Sequence, residues 1–362
     1  AASDVYKRQE IEEETIMKKA IGLSLAAVMA MSLTACGGGK SDAPAAGTQA
    51  AGSEAAGSEA AGAEGDTIKL GVIGPLTGPA ATYGIAVQNG ADLAVKEINA
   101  AGGVDGMMFE LKAEDDENDP EKTINAYNTL KDWGMQMLVG TTTTAPCIAV
   151  AGKTASDNVF QITPSASSPD VLSSGNGNVF QVCFTDPNQG VASAQYIAEN
   201  KLATKIGIIY DSSDVYSSGI EEKFEAEAKT QGLNIVSKAA FTADSKTDFG
   251  TQLQKAKDAG ADLLFLPIYY QEASIILKQA DTMGYKPKFF GVDGMDGILT
   301  VENFDTKLAE DVMLLTPFAA DAKDKTVQNF VKTYKEKYGD TPNQFAACLL
   351  YTSPSPRDKR QS

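Results

Sequence analysis

Apolar and polar positions alternate in two rhythms between residues 67 and 347. Short apolar runs bounded by glycine, proline or acidic residues read as strands. Stretches with apolar residues three and four apart read as helices. The run at 68–74 is a strand, and residues 84–100 carry Ile85, Leu93 and the apolar positions of 95–98 on a helical face. A strand at 109–113 follows. Pro120 then opens a helix through Ile124, Tyr127 and Leu130, as proline does at a first turn. Residues 135–139 form a strand that ends at Gly140. Thr141, Thr142, Thr143, Thr144 and Pro146 come next, before a small-residue helix from Cys147. The strand at 159–163 runs into a second polar turn, Thr163-Pro164-Ser165-Ala166-Ser167-Ser168-Pro169. A second series begins near Asp186-Pro187. It has strands at 205–210, 234–241, 262–267, 289–293 and 311–317, and helices at 214–229, at 248–259, up to Gly284, and at 325–338. Strands alternating with helices imply parallel sheets covered on both faces. The span suits about two domains. The expected fold is α/β with two lobes, each a mostly parallel sheet flanked by helices.

Ligands of such sheets sit at the carboxyl ends of the strands, where both polar turns lie. Hydroxyls and the free N–H groups of a helix start form a cradle for an anion such as a carboxylate. A single turn of this kind is better read as ordinary strand ending and helix capping. Two in succession favour a ligand. The turn Gly74-Pro75-Leu76-Thr77-Gly78-Pro79 is not a dinucleotide fingerprint, because its prolines break the glycine spacing. The acidic stretch 115–119 lacks the glycine and distal glutamate of a calcium loop, so a strand end with a helix cap at Asp119 is expected.

Composition removes several function classes. The chain has no histidine, which excludes Ser-His-Asp and Cys-His catalysis and histidine-based zinc sites. Its only arginines, Arg8, Arg357 and Arg360, lie near the two ends, so the body has no bidentate arginine clamp for a carboxylate or phosphate. Formal net charge is −17. The first 35 residues contribute −1 and the last 15 contribute +2, leaving −18 on residues 36–347. That argues against nucleic acid and anionic membrane surfaces as partners. Cys147 and Cys183 are the cysteines of the folded body; they are compatible with a disulfide or with free thiols.

The ends read differently from the body. Residues 4–9 can be encoded by GAT GTG TAT AAG AGA CAG, and the reverse complement in a shifted frame gives residues 348–352. Residues 1–16 and 348–362 are therefore expected to be foreign, with the natural chain continuing beyond Ala347. Met17-Lys18-Lys19 and the apolar run 20–33 form a signal-peptide pattern over residues 17–35, too short to span a bilayer. The ending Leu33-Thr34-Ala35-Cys36 resembles the lipobox of bacterial lipoproteins, which implies lipidation of Cys36 and attachment to the membrane. Residues 36–66, rich in Gly, Ala, Ser and Glu with a repeated Ala-Gly-Ser-Glu-Ala, read as a flexible, disordered tether.

Taken in order, several motifs resemble the branched-chain amino-acid ABC transporter substrate-binding proteins, the leucine/isoleucine/valine-binding family with the type I periplasmic-binding fold. They are the 68–79 strand and turn with Tyr83-Gly84, Ile98-Asn99-Ala100-Ala101-Gly102-Gly103, Asp115-Asp116, the Gly140 threonine run, Ile162-Thr163-Pro164-Ser165, and 211–219 around Tyr216. The likeness covers residues 67–347. It implies a first lobe of 67–185 with 317–347, a second lobe of 186–316, and crossings near Thr185-Asp186 and Leu315-Thr316-Pro317. The resemblance implies that Thr143, Thr144 and Ser165 to Ser167 hold a ligand α-carboxylate and part of its ammonium. Ser165 and Ala166 would act mainly through backbone groups, Ser167 and Thr144 through hydroxyls. Tyr83 would stand at the pocket mouth, Tyr216 and Tyr269 would close from the second lobe, and Asp293 would pair with the ammonium. Read on their own chemistry, the two tyrosines suit half-buried packing as well, and Asp293 suits a helix cap. The implied function is that of a monomeric extracytoplasmic binding protein without catalysis or cofactor. It would carry a small neutral amino acid to an ABC permease and its ATPase. A sensory module of the same fold, or a binder of amide, urea-type or aromatic-acid ligands, is the alternative.

Overall fold

The structure, a computed structural model, describes residues 67–352, with side chains through Cys348. The leader, Cys36 and the tether lie outside the described residues. The first lobe opens with β1 (Ile68–Gly74), α1 (Ala81–Ala100), β2 (Phe109–Asp115), α2 (Pro120–Asp132) and β3 (Met137–Val139). It continues with α3 (Thr144–Asp157), β4 (Phe160–Thr163), the single turn α4 (Asp170–Ser173) and β5 (Val179–Gln181). The second lobe holds α5 (Asp186–Glu199), β6 (Ile206–Asp211), α6 (Val215–Thr230), β7 (Ile235–Phe241), α7 (Gly250–Asp258), β8 (Leu263–Leu266), α8 (Tyr270–Thr282), β9 (Lys288–Gly291) and β10 (Met313–Leu314). Two helices follow, α9 (Lys325–Tyr338) and α10 (Gln344–Thr352). Both pack on α1: Lys337 Nζ and the Tyr338 hydroxyl reach Asp92 at 2.7 and 2.6 Å, and Ala346 lies against Gly90.

Each lobe is a five-stranded parallel sheet, ordered β2-β1-β3-β4-β5 and β10-β9-β8-β6-β7. On β1, Val72 and Ile73 point to opposite faces and both are buried, as expected of a sheet with helices on each side. Ile73 packs with Tyr127, Leu130, Leu138 and Val150; Val72 packs on the face covered by α1. The second core centres on Ile208, Ile220, Phe224 and Phe265, with the two phenylalanine rings stacked at 3.8 Å.

Strand order turns back between β1 and β3 in the first sheet and between β6 and β8 in the second. Loops diverge at such a point and leave a crevice at the carboxyl edge. The first crevice takes the threonine run after β3, and the second takes the segments leading to Tyr216 and Tyr269. Asp293 follows β9 alongside. The acidic stretch after β2 is structural. Asp119 caps α2 through the N–H groups of Glu121 and Lys122 at 2.8 and 2.9 Å. Asp115 accepts from the Leu76 N–H at 2.8 Å and the Thr77 hydroxyl at 2.6 Å, tying down the loop after β1. No metal-binding cluster of His, Cys, Asp or Glu occurs among the described residues. Cys147 and Cys183 are free thiols.

Candidate ligand-binding site

The first-lobe wall begins where β3 stops. Gly140 has φ +130°, and a Cβ there would strike the Ile73 carbonyl, so glycine is needed to turn the chain. The threonines beyond it are all buried. Their carbonyls are held from β4 and its turn: the Thr163 hydroxyl donates to Thr141 O at 2.7 Å, and the Ser165 hydroxyl donates to Thr142 O at 2.6 Å. Their own hydroxyls are another matter. Those of Thr142, Thr143 and Thr144 are buried without a hydrogen-bond partner. Thr143 is the N-cap of α3 with extended backbone, yet its side chain makes no capping bond. A buried polar group left unpaired costs about 1–3 kcal/mol. Three together beside an uncapped helix start form a donor-rich wall complementary to an anion.

The second-lobe wall carries the opposite charge. Tyr216 starts α6, where Asp214 accepts from its N–H at 3.2 Å. Its hydroxyl donates to Asp293 Oδ1 at 2.5 Å and accepts the Gly294 N–H at 2.9 Å. Tyr269 stacks on Tyr216 with centroids 4.9 Å apart and planes 13° apart. Asp293 is buried, and its N–H donates to Gln189 Oε1 at 3.2 Å. It is not a helix cap, because its carboxylate is directed to Tyr216. Burial pushes the Asp293 carboxyl up to about 6, against the lowering effect of the Tyr216 and Gln189 bonds. No cation pairs with it among the described residues. From the first lobe, Tyr83 crosses over: its hydroxyl donates to the Gly294 carbonyl and accepts the Tyr270 N–H at 3.3 Å. Gly84 allows this approach, since a Cβ there would strike the Pro75 backbone.

Between the walls lies a narrow cavity. Seven of the nine residues expected from the sequence line it: Tyr83, Thr143, Thr144, Ser165, Tyr216, Tyr269 and Asp293. Ala166 and Ser167 do not. The Thr163 hydroxyl occupies the Ala166 N–H at 3.0 Å and leans to that of Ser165 at 3.4 Å, so these backbone donors serve the turn itself. Ser167 sits behind it beside Asp186, whose carboxyl burial pushes up to about 8. Thr142, Gly294 and Phe345 complete the lining and were not singled out from the sequence. Thr142 belongs to the same polar run and Gly294 is next to Asp293, so both were within reach. Phe345 packs on Tyr83 at 4.4 Å from a helix that the periodicity did not reveal.

A two-lobed fold of parallel sheets with a polar interlobe cleft is the type I periplasmic binding architecture. The chain belongs to the periplasmic binding protein family, whose model matches residues 67–351. It is 33% identical over 228 residues to a Leu/Ile/Val-binding protein homolog of Brucella melitensis, covering 63% of this chain and 61% of that one. It is 29% identical over 282 residues to the leucine-, isoleucine-, valine-, threonine- and alanine-binding protein of Pseudomonas aeruginosa, covering 77% and 74%. Among solved structures, the branched-chain amino acid transporter substrate-binding protein of Streptococcus pneumoniae in complex with isoleucine superposes with a TM-score of 0.72 at 28% identity. That match covers 79% of this chain and 82% of the other.

Proposed function

We propose that the protein is the extracytoplasmic solute-binding component of an ABC importer and takes a small neutral amino acid, branched-chain or aliphatic, in its interlobe cleft. The observation that carries this reading is the pairing of opposite needs across one cavity. Three unpartnered threonine hydroxyls and an uncapped helix start face a buried carboxylate without a cation. A zwitterion satisfies both, its carboxylate at Thr143 and Thr144 and its ammonium at Asp293. An aromatic acid would leave Asp293 unpaired. The aromatic lining from Tyr83, Tyr269 and Phe345 suits an apolar side chain. The names of the relatives from Brucella and Pseudomonas and the isoleucine in the Streptococcus structure support the same class of ligand. The protein binds without turnover and hands its ligand to a permease with its ATPase, as a monomer held at the membrane through lipidated Cys36. Thermal-shift screening with the twenty amino acids tests the reading. A rise in Tm with leucine, isoleucine or valine, and none with aspartate or lysine, is expected; no rise with any amino acid would contradict it.

A further inference from the structure

Gln344 opens α10, the helix that packs on α1, and it is 3% exposed. Phe345 beside it lines the cleft, yet Gln344 itself touches no part of the cavity. It reaches across the seam instead. Its Nε2 donates to the Asp293 carbonyl at 3.0 Å, and its N–H donates to Asp296 Oδ2 at 3.1 Å. The Asp293 N–H, in contrast, is bonded within the second lobe to Gln189. One residue is thus held at its amide by its own lobe and at its carbonyl by the other. We propose that Gln344 is a positioning residue for Asp293: it clasps the backbone of the ammonium anchor from the opposite lobe, so the carboxylate takes its working position as the cleft shuts. This rests on the reading that Asp293 receives the ligand's ammonium.

The chemistry fixes where the clasp acts. In an open cleft the Asp293 carbonyl and the Asp296 carboxylate are hydrated and need no partner. In the closed cleft the Asp293 carbonyl is buried and Asp296 half-buried, and a buried carbonyl without a donor is penalised. Loss of the Gln344 amide therefore loosens the Asp293 segment in the closed state, which weighs on a ligand whose ammonium relies on that carboxylate far more than on one without an ammonium, and it enters the dissociation rate rather than the encounter. The neighbouring seam has the same direct character. Thr82 Oγ1 meets Thr300 Oγ1 at 3.3 Å, and the Thr82 N–H reaches the Tyr270 hydroxyl at 3.4 Å. These bonds join the lobes without touching Asp293, so the Gln344 clasp is separable from them.

The test is stopped-flow and calorimetric binding of L-leucine and of 2-hydroxy-4-methylpentanoate, which keeps the carboxylate and side chain but lacks the ammonium. Gln344→Met preserves the volume and removes the donor; Gln344→Ala serves as the second variant should the first fail to fold. Expected for either is a dissociation rate for L-leucine raised roughly tenfold, an association rate within about twofold of the parent, and an affinity ratio of L-leucine to the hydroxy acid reduced roughly tenfold. Equal losses for both ligands would show a merely structural contact and overturn the proposal, as would an unchanged dissociation rate. If the unsubstituted protein binds neither L-leucine nor any other amino acid, the ligand reading falls, and the clasp with it.

Discussion

At the scale of single residues, Asp293 is the one carboxylate that both lines the cleft and lacks a cation among the described residues. Its carboxyl is buried, hydrogen-bonded by Tyr216, and raised to about 6 because burial disfavours its charge. In the ligand-free protein this makes ionisation destabilising. The unfolded group titrates near 3.8, so stability from this residue falls as pH rises from there to about 6. An ammonium reverses the balance by pairing with the charged form. Affinity should therefore be level from neutrality down to about 6 and then fall by up to about tenfold per pH unit below it, as ligand and proton compete for one carboxylate. Asp293→Asn should lower affinity by about 2–5 kcal/mol and remove the acid limb of the profile. Calorimetry across roughly pH 4.5 to 7.5, which brackets the transition, checks both. Persistence of the acid limb in Asp293→Asn would assign it to another group, such as Asp186 or Asp214, which are also raised.

Among the elements, the start of α3 matters most, because its polarity comes from what it lacks. Thr143 and Thr144 sit where side chains usually cap a helix, yet their hydroxyls are unpartnered. Thr144→Val should weaken amino-acid binding roughly ten- to a hundredfold, the range for a hydrogen bond to a charged group. It should leave the Tm of the ligand-free protein unchanged or higher, since it removes an unsatisfied buried hydroxyl. Loss of Tm without loss of affinity would make the hydroxyl structural. Such features were legible in the sequence because they are local: a glycine ends β3, threonines follow, and Pro146 marks the helix. Elements whose burial depends on a distant partner were not. Helix α5 buries Gly190, Ser193, Ala194 and Ile197, a face too small and polar to show a helical stripe. The reason is close packing, since a Cβ on Gly190 would strike the Ile220 carbonyl of α6. Strand β5 has three residues and exposes Phe180, so it carries almost no alternation. Ala166 and Ser167 lie outside the cavity lining for a related reason. Sequence shows that a turn is rich in donors, but not that the Thr163 hydroxyl, 3.0 Å from the Ala166 N–H, takes up one of them.

On the scale of the whole molecule, the two sheets present their carboxyl edges to each other. The chain passes from the first sheet to the second between Gln181 and Asp186, and returns between Leu314 and Lys325. The Asp186 N–H bonds to the Ser167 carbonyl at 3.0 Å, which joins the second polar turn to the first crossing. On the proposed reading one wall takes the carboxylate and the other the ammonium, and closure brings both within reach of one small molecule. Tyr83, Gln344 and Thr82 bridge the seam directly, so the closed arrangement is held in part by bonds between the lobes themselves. We propose that both charges of a zwitterion are recognised, one by each lobe. Calorimetric titration with the tightest-binding amino acid, its 2-hydroxy acid and its methyl ester measures what each charge contributes. Removing either charge is expected to cost at least about a hundredfold in affinity, in keeping with loss of a partner for a buried charge or donor cluster. Binding of the hydroxy acid or the ester as tightly as the amino acid would contradict it.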